Sequence, residues 1–543
     1  MTNFQPTYDA ESRTWHGPTV KGVFNPEASI GQVVFEVLSR SPERVMQIDM
    51  DTGRSMTYAE FMTRMIRFAQ NLATIGIRKG DVVALANANS ENLAPLVCAL
   101  LSIGAPLSPL APGFNQDDMA NMLGVTQPKL VFCDANNYET VRAAVIQAIG
   151  KETPPIYVFE DTRDDVRHAE ELMKETGQED KFIPAYLGDT SQTLAAIVCS
   201  SGTTGAHKGV SQSHANLMQF SAIQPFHPKP IVFFNFSAIY WVSGLSSLLY
   251  AFTTGGIRLF TRNGFNEEQF FEAIEKYNVN NIFTPPAYAN AVLCDPRLQK
   301  IDFSSIKLWI LGGSFVPEDL RDKIDALLPN GRSVNAFGSS EGGGLAMDFL
   351  MRTRNAIGPV MPEACVRVVD ENGNMLGVGE RGEFLVKTGI PFLGYYNNPE
   401  ATMNAVDEEG YYRSGDIGYI DEKGVVYLVD RKKDIFKYKN FHVTPSELEA
   451  LIRKIDGVQD VSVVGIPDEA QVTDLPAALI VRKPNSVLDA QTVQSIIDNQ
   501  VTDFKRLRGG VHFVSELPKT EGGKVMRRKV AEIVQRMNAA AIV

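Results

Sequence analysis

Paired cysteines, histidine clusters and an excess of positive charge are all missing from this sequence. The five cysteines (Cys98, Cys133, Cys199, Cys294 and Cys365) are widely spaced and form no CxxC pair, which argues against a disulfide framework and favours a reducing compartment. The seven histidines form no HExxH motif or other ligand cluster, so a zinc site is not expected. The net charge of −12 excludes a generally basic nucleic-acid-binding protein.

Neither a secretory signal nor a membrane span is expected. The opening MTNFQPTYDAESRT has acidic residues and no apolar core, and the closing AAAIV is not a peroxisomal SKL-type address. Prolines interrupt the uncharged residues 92–116. Residues 230–257, also uncharged, are interpreted as a buried strand followed by a buried helix. The cytoplasm is the expected location, the peroxisome is the alternative, and access to a lipid substrate at a membrane surface is compatible with both.

The pattern of apolar runs predicts an α/β protein with more than one domain. At 543 residues the chain exceeds what one hydrophobic core usually supports. Short apolar runs such as DVVALAN and AAIVCSS alternate with helical stretches such as NEEQFFEAIEKYN, which predicts largely parallel sheets covered by helices. Past residue 380 the pattern becomes hairpin-like, and TPSELEALIRKIDGV is expected to form a helix capped by Thr444 and Glu447. A domain boundary is predicted near residues 430–434.

The segment SSGTTGAHKG at residues 200–209 directly follows the apolar run AAIVC. Its glycines let the backbone turn sharply and bring amide N–H groups near a ligand, and its lysine adds positive charge. The spacing is not that of a GxxxxGK[ST] loop. Such a cradle suits a polyphosphate, and a polar surface loop is the alternative. The candidate phosphate-binding residues are Ser200, Ser201, Gly202, Thr203, Thr204, Gly205 and Lys208.

This string resembles the signature loop [ST]SG[ST]TGxPKG of the adenylate-forming superfamily, which includes acyl-CoA synthetases, 4-coumarate–CoA ligases, beetle luciferases and peptide-synthetase adenylation domains. The departure is His207, which stands where proline is common and so replaces a stiffening residue. Further family-like motifs follow in order over nearly the whole chain. They are LGGSFV (311–316), NAFGSSEGG (335–343), YYRSGDIG (411–418), LVDRKKDIFKYKNFHVTPSELE (428–449) and LPKTEGGKVMRRKV (517–530).

The resemblance implies an ATP site. In it Phe337 stacks on adenine, Glu341 is the carboxylate that serves Mg²⁺, and Asp416 accepts hydrogen bonds from the ribose hydroxyls. One protein carboxylate is typical for a Mg²⁺ ion that bridges phosphates. A solvated loop acid is the alternative for Glu341 taken alone. The other residues assigned to ATP by the resemblance are Gly313, Ser314, Asn335, Gly338, Ser339, Ser340 and Arg431.

The resemblance also makes Lys524 the catalytic lysine, acting with Ser340, Glu341 and Lys208. A carboxylate that attacks the α-phosphate brings like charges together, and a cation between them lowers the barrier. Lys433 occupies the family's hinge position. The residues that resemble the face meeting coenzyme A are Lys437, Lys439, Asn440 and Phe441, with ordinary solvated charge as the alternative for the lysines.

The acyl pocket departs from the family pattern. Many relatives carry an aromatic–His pair in the acyl tunnel, and this chain has Tyr240 and Trp241 with no histidine. Either aromatic is expected to line the tunnel or to belong to the core. The run Gly342, Gly343 and Gly344 removes side chains just past Glu341, which suggests a roomy apolar pocket and a medium- or long-chain fatty acid.

The implied fold is α/β, with a large N-terminal AMP-binding domain (1–430) of stacked α/β subdomains plus a β-barrel-like part. A hinge (431–434) joins it to a small mobile C-terminal α+β lid (435–543). The implied enzyme is an acyl-CoA synthetase that uses Mg²⁺ and ATP to form an acyl-AMP and transfers the acyl group to coenzyme A. The alternatives are a 4-coumarate-type ligase, a luciferase-like monooxygenase and a non-catalytic nucleotide sensor. A peptide-synthetase adenylation domain is disfavoured because no carrier segment follows Lys524.

Overall fold

The computed structural model describes residues 5–20, 25–150, 153–160, 163–200, 207–222, 231–349, 352–439, 441–468, 473–520 and 523–541. Within these ranges the helices alternate with strands through most of the chain. The helices are α1 (Ile30–Arg40), α2 (Tyr58–Thr74), α3 (Leu93–Ile103), α4 (Gln116–Thr126), α5 (Tyr138–Ile149), α6 (His214–Ala222), α7 (Val242–Thr253), α8 (Glu267–Glu275), α9 (Pro286–Cys294), α10 (Glu318–Leu327), α11 (Pro399–Ala405), α12 (Pro445–Ile452), α13 (Ala490–Asp498) and α14 (Arg527–Ala541).

The strands of the described residues assemble into five sheets. In chain order they are β1 (Thr7–Asp9), β2 (Thr14–His16), β3 (Val45–Asp49), β4 (Ser55–Thr57), β5 (Val83–Ala86), β6 (Leu107–Pro109), β7 (Leu130–Asp134), β8 (Ile156–Phe159), β9 (Arg167–His168), β10 (Leu194–Cys199), β11 (Gly209–Ser213), β12 (Val232–Asn235), β13 (Ile257–Phe260), β14 (Asn281–Thr284), β15 (Leu308–Gly312), β16 (Arg332–Ser339), β17 (Gly343–Met347), β18 (Gly358–Pro359), β19 (Ala364–Val369), β20 (Gly382–Thr388), β21 (Tyr412–Ile420), β22 (Val425–Arg431), β23 (Phe436–Tyr438), β24 (Phe441–Val443), β25 (Val458–Asp468), β26 (Thr473–Arg482) and β27 (Val511–Val514).

Two sheets are mainly parallel, as the alternating pattern predicts. One has the order β11-β10-β6-β5-β7-β8-β9 and the other β17-β16-β15-β14-β12-β13-β3-β4. Among the described strands of these two sheets, only the hairpins β10–β11, β16–β17 and β3–β4 are antiparallel. Helices α1, α2, α3 and α7 contribute to one buried cluster together with strands of both sheets. The carboxyl ends of parallel strands meet at one edge of a sheet, where α/β proteins bind ligands.

Within the uncharged residues 230–257, Val232–Asn235 form β12 and Val242–Thr253 form α7, as predicted. Leu245, Leu248, Leu249 and Phe252 give α7 an apolar face, and all four are fully or nearly fully buried in the cluster shared by the two sheets. Among the described residues, no helix combines the length and the apolar character that a membrane crossing requires.

The third large sheet is antiparallel, with the order β1-β2-β19-β20-β21-β22-β18. It contains the hairpin-like segments predicted past residue 380, and Gly424 has a φ of 74° at the turn before β22. The barrel-like part is predicted for the large domain without a location, and this sheet is the antiparallel sheet of that domain. Strand β22 ends at Arg431, where the predicted hinge begins.

The C-terminal part has its own buried core, built from α12, α13 and strands β25 to β27. Helix α12 starts after Thr444, but the predicted capping box is not formed. The Thr444 hydroxyl accepts instead from Arg381, at 3.4 Å, and Glu447 pairs with Lys505. The partners of both groups lie outside the helix, so tertiary contacts replace the local cap.

Candidate active site

A cavity of about 820 Å³ lies where the large domain meets the C-terminal part. Its wall is built at the carboxyl ends of β10, β12, β14, β15 and β16, and residues from β22 and from the C-terminal segment complete it. The volume falls in the upper part of the range typical of ligand sites. The predicted residues in its wall are Ser200, Lys208, Trp241, Gly313, Phe337, Gly338, Ser339, Ser340, Glu341, Gly343, Arg431, Lys433 and Lys524.

Other predicted residues are not in this wall. Six of them lie outside the described residues: Ser201, Gly202, Thr203, Thr204, Gly205 and Asn440. The structure places nine more beside the cavity or on other surfaces: Tyr240, Ser314, Asn335, Gly342, Gly344, Asp416, Lys437, Lys439 and Phe441. Of the phosphate loop, the structure therefore describes Ser200 at one end and His207 to Gly209 at the other.

The two ends of that loop are held together by strands β10 and β11. The amide of Ser200 donates to the Lys208 carbonyl at 2.8 Å, and the Lys208 amide donates to the Ser200 hydroxyl. The His207 ring nitrogen Nδ1 lies 2.9 Å from the Ser200 carbonyl oxygen, and the ring stacks on Phe114 with 5.0 Å between centroids. His207 thus fixes the end of the loop through its ring, where proline would do so through its backbone.

The turn after β15 gives the cavity a flat, open floor. Gly313 has a φ of 86°, a left-handed conformation that favours glycine. A Cβ added at Gly313 would meet no atom within 4 Å, because that side of the residue faces open space. The cavity continues onto Phe337 of β16. An open surface beside an aromatic ring suits a planar base, as the resemblance implies.

Glu341 lies in the turn between β16 and β17 and is tied to Tyr395. The Tyr395 hydroxyl donates to Glu341 Oε1 at 3.0 Å, and Lys208 Nζ lies 4.9 Å from the Tyr395 ring centroid. Burial, followed by the charge of Glu341, raises the pKa of Tyr395, so the phenol remains a donor. The Ser340 carbonyl accepts from Gln212 at 2.6 Å, which anchors the same turn. No residue pattern singles out Tyr395 or Gln212 in the sequence.

Asp416 and Arg431 form a buried ion pair across β21 and β22. The distance from Arg431 Nε to Asp416 Oδ1 is 2.8 Å, and the Asp416 side chain is 5% exposed. Burial raises the pKa of Asp416, and the guanidinium of Arg431 opposes that shift. Arg431 lines the cavity and Asp416 stands directly behind it.

Lys524 reaches the cavity from the C-terminal segment. Its amide and carbonyl are held by Thr520, and Gly523 packs against the large domain, where an added Cβ would lie 3.2 Å from the Tyr288 ring. Burial, and then the charges of Arg431 and Lys433, lower the pKa of Lys524 to about 8. Burial also lowers the pKa of Lys433. Several cations therefore share one cavity, which favours a polyanionic ligand.

The residues assigned to coenzyme A lie on another surface of the C-terminal part. Lys437 and Lys439 are exposed at the β23–β24 hairpin, and Lys439 has a φ of 53°. Phe441 is 55% exposed and stacks on Phe504 with 4.7 Å between centroids. None of these three residues lines the cavity, so in this conformation Lys524 faces the site and the hairpin does not.

The glycines after Glu341 do not provide the extra room that the sequence suggests. An added Cβ would lie 3.0 Å from the Tyr412 ring at Gly342, and 3.3 Å from Thr388 at Gly343. Of the three glycines only Gly343 lines the cavity, and its φ of 69° itself favours glycine. Trp241 lines the cavity, whereas Tyr240 is not part of the wall. The two rings are tilted relative to each other, with 5.2 Å between their centroids.

The remaining wall comes mainly from residues that motifs did not indicate. Helix α7 contributes one face, opposite its core face, and β12 and α6 contribute others. A helical repeat of serines inside an apolar stretch is the signal that could have found the α7 residues. These additional residues include Asn216, Phe233, Ser237, Val242, Ser243, Ser246, Ser247, Tyr250, Phe283 and Met347.

A large α/β domain whose cavity gathers several cations, one of them a lysine from a small second domain, is typical of an enzyme that uses a nucleotide. The sequence matches the AMP-binding enzyme family over residues 34–396 and the AMP-binding enzyme C-terminal domain over 447–524. The chain therefore belongs to the AMP-binding enzymes, and the predicted superfamily, α/β fold and ligase class are confirmed.

Two relatives and one solved structure resemble the chain over nearly its whole length. Peroxisomal OPC-8:0-CoA ligase 1 of Arabidopsis thaliana is 30% identical and covers 94% of each chain. Luciferin 4-monooxygenase of Photuris pensylvanica is 28% identical over 94% of this chain and 97% of its own. ATP-bound MatB of Rhodopseudomonas palustris is 25% identical with a TM-score of 0.82, over 93% of this chain and 98% of that one.

Proposed function

We propose that the protein is an AMP-forming acid–CoA ligase that works in two steps. In the first, a carboxylate oxygen attacks the α-phosphorus of ATP, the bond to the β-phosphate breaks and pyrophosphate leaves. In the second, the thiol of coenzyme A loses its proton and attacks the acyl carbon, the acyl–oxygen bond breaks and AMP leaves. The observation that carries the proposal is the meeting of Lys524 with Lys208, Glu341 and Arg431 in one cavity.

The electrostatics of this cavity suit the first step. Two anions must approach each other, and fixed cations stabilise the charge that builds up between them. Lys208 is held against Tyr395, and Arg431 is held by Asp416, so neither has to be reorganised during the reaction. Lys524 comes from the other domain, which lets domain movement add or remove it.

The residues fit a magnesium ion bound chiefly by phosphates. Glu341 presents a carboxylate to the cavity, and the described residues contain no group of three or more His, Cys, Asp or Glu side chains that could form a protein cage. Mg²⁺ usually takes one or two carboxylates together with phosphates and water. When bound, it would neutralise phosphate charge, and Glu341 is the residue proposed to hold it.

The second step is proposed to follow a rotation of the C-terminal domain about Lys433. In the present conformation Lys437, Lys439 and Phe441 lie outside the cavity while Lys524 lines it. A rotation would withdraw Lys524 and bring the exposed hairpin to the acyl-adenylate. The replacement of Lys437 and Lys439 by Glu should slow thioester formation and leave pyrophosphate release unchanged, with Lys529→Glu, on the exposed side of α14, as the control.

A medium- or long-chain fatty acid is the proposed substrate, and an aromatic acid is the alternative. Phe233, Trp241 and Met347 give the cavity apolar walls beyond the nucleotide residues. A cytoplasmic location is also proposed for the protein. The test is a pyrophosphate-release screen over aromatic and C6–C20 acids, with and without coenzyme A. Release with no acid would contradict the ligase, and release without thioester formation would contradict the second step.

Oxidation of the adenylate is the second candidate activity, because the luciferase relative matches nearly the whole chain. The test is to mix the protein with ATP, luciferin and oxygen and to measure light. Light emission together with an absence of acyl-CoA product would favour the oxygenase. Thioester formation in the dark would favour the ligase.

A further inference from the structure

The side chain of Tyr395 lies between two charged residues of the cavity and contacts both. Its hydroxyl donates to Glu341 Oε1 at 3.0 Å, and its ring faces Lys208, whose Nζ lies 4.9 Å from the ring centroid. All three residues line the cavity. Glu341 is the residue proposed to hold Mg²⁺, and Lys208 is a candidate ligand of the phosphates. One phenol therefore connects two groups that would meet the same triphosphate.

The backbone of Tyr395 is attached to the strand that follows the phosphate loop. An antiparallel bridge joins Tyr395 to Val210 of β11. Beside it, the Tyr396 amide donates to the Gly209 carbonyl at 2.8 Å. Because Gly209 directly follows Lys208 in the chain, these backbone contacts hold the Tyr395 ring and the Lys208 side chain next to each other.

The segment around Tyr395 is itself firmly packed. The Phe392 ring meets the Tyr395 ring edge-on with 5.6 Å between centroids, and the Tyr395 amide donates to the Thr402 hydroxyl at 2.9 Å. Gly394 has a φ of 89°, and an added Cβ would lie 2.7 Å from Thr402 Cγ2, so this turn requires glycine. A side chain supported in this way can hold a partner in one orientation before the ligand arrives.

The bond to Tyr395 fixes only one oxygen of the Glu341 carboxylate. Within the described ranges no protein group bonds to the other oxygen, Oε2, which leaves it open to a ligand. Carboxylates that bind metal ions are usually hydrogen-bonded in turn, and the loss of such a partner typically costs roughly 10- to 100-fold in metal affinity. The Tyr395–Glu341 bond has this arrangement.

We infer that Tyr395 is a positioning residue that links the magnesium carboxylate to the phosphate-binding lysine. Its hydroxyl sets the orientation of Glu341 for Mg²⁺, and its ring restrains the Lys208 ammonium for the phosphates. The inference rests on the proposed function, in particular on the role of Glu341, and it gives Tyr395 no direct part in bond formation.

Tyr395→Phe removes the hydroxyl and keeps the ring. The ATP affinity of the full-length protein is measured by calorimetry with excess Mg²⁺, and again with EDTA and no Mg²⁺. The variant should lose about three- to tenfold of the affinity gained from Mg²⁺, and its affinity in EDTA should be unchanged, because the ring still faces Lys208. Tyr396→Phe is the matched control, since Tyr396 is the next residue and is not in the cavity wall.

Tyr395→Leu removes the ring as well. Its ATP affinity in EDTA should fall about two- to fivefold below that of Tyr395→Phe, because the Lys208 ammonium loses the aromatic face. In a Glu341→Gln background, Tyr395→Phe should cause no further loss of the gain from Mg²⁺. A merely structural role of the hydroxyl would instead give the same loss in both backgrounds and would contradict the inference.

Two further outcomes separate this inference from the proposed function. If the wild-type protein and Tyr395→Phe gain equally from Mg²⁺, the inference is overturned and the ligase activity stands. If Mg²⁺ gives the wild-type protein no gain in ATP affinity, the proposed role of Glu341 fails and the inference fails with it. A dissociation constant from calorimetry does not depend on the folded fraction, so partial unfolding of a variant does not imitate either result.

Discussion

The two ends of the cavity differ in how their polar groups are paired. At the nucleotide end, Glu341 is bonded to Tyr395, Asp416 to Arg431, and the Ser340 carbonyl to Gln212. At the acid end, Ser246 and Ser247 line the cavity, and within the described residues no hydrogen bond joins either hydroxyl to another protein group. Polar groups that the protein already pairs suit ATP, which is the same in every reaction. Polar groups without a protein partner can bond instead to the acid substrate.

The largest expected effect lies at the nucleotide end. Lys524→Ala should slow acyl-adenylate formation by about 10²- to 10³-fold with every acid, because a fixed cation is lost from the transition state. Pyrophosphate release measures it, and Lys519→Ala is the control, since Lys519 is paired with Asp460 on the surface of the same segment. If the variant lost activity with some acids only, Lys524 would act on the acid as well as on the nucleotide, and the two ends of the cavity would not be distinct.

The pH dependence should sharpen the same distinction. Because the pKa of Lys524 is lowered to about 8, the side chain loses its proton above that pH, far below the usual range of lysine. The kcat/KM for the first step should therefore fall up to tenfold per pH unit above about 8. Pyrophosphate release without coenzyme A is the appropriate measurement, because the thiol does not take part in it.

Lys524→Arg supplies the control for that profile. An arginine stays charged throughout this range, so the fall above pH 8 should disappear even if the maximal rate is lower. A wild-type profile that stays flat up to pH 10 would contradict the role of Lys524. Fatty acids of different chain length should share one profile, because their carboxyl groups do not titrate in this range.

At the acid end the expected effects are smaller and depend on the substrate. Trp241→Ala should change the KM for the acid about tenfold and leave the KM for ATP unchanged, because the ring lines the cavity beside α7. Steady-state kinetics with each substrate varied in turn measure this. Tyr186→Ala, at a side chain that is 69% exposed, is the control. An equal change in both KM values would mean that the two ends are not separate.

The same difference explains what could be predicted from the sequence. Nucleotide-end residues lie in short strings such as GSSEGG and EGGKV, where spacing along the chain carries the signal. Tyr395 and Gln212 reach Glu341 and Ser340 only through tertiary packing, so no local pattern marks them. The glycines after Glu341 were misinterpreted as room because the Tyr412 ring that packs on Gly342 is distant in sequence. The α7 serines have helical spacing, but spacing alone does not tell which helix face is buried.

The smallest expected effect tests how firmly the nucleotide end is held. His207 contacts the Ser200 carbonyl through its ring and stacks on Phe114, so it immobilises the end of the phosphate loop by side-chain contacts. His207→Ala should raise the KM for ATP by a few fold, since residues 207 and 208 at the end of the loop then lose conformational freedom only on binding. His207→Pro should restore most of the affinity, because proline limits the backbone directly.

Measurement of ATP affinity by calorimetry, with the acid absent, isolates this effect from the acid end. Phe114→Leu should give an intermediate loss, because it removes the stacking partner and keeps the hydrogen-bonding ring. If His207→Pro bound ATP more weakly than His207→Ala, the histidine would be needed for its own contacts and not for stiffness. ATP binding would then depend on the side chain of His207, which is a departure from the family pattern. The nucleotide end would in that case be less constant than its hydrogen bonds indicate.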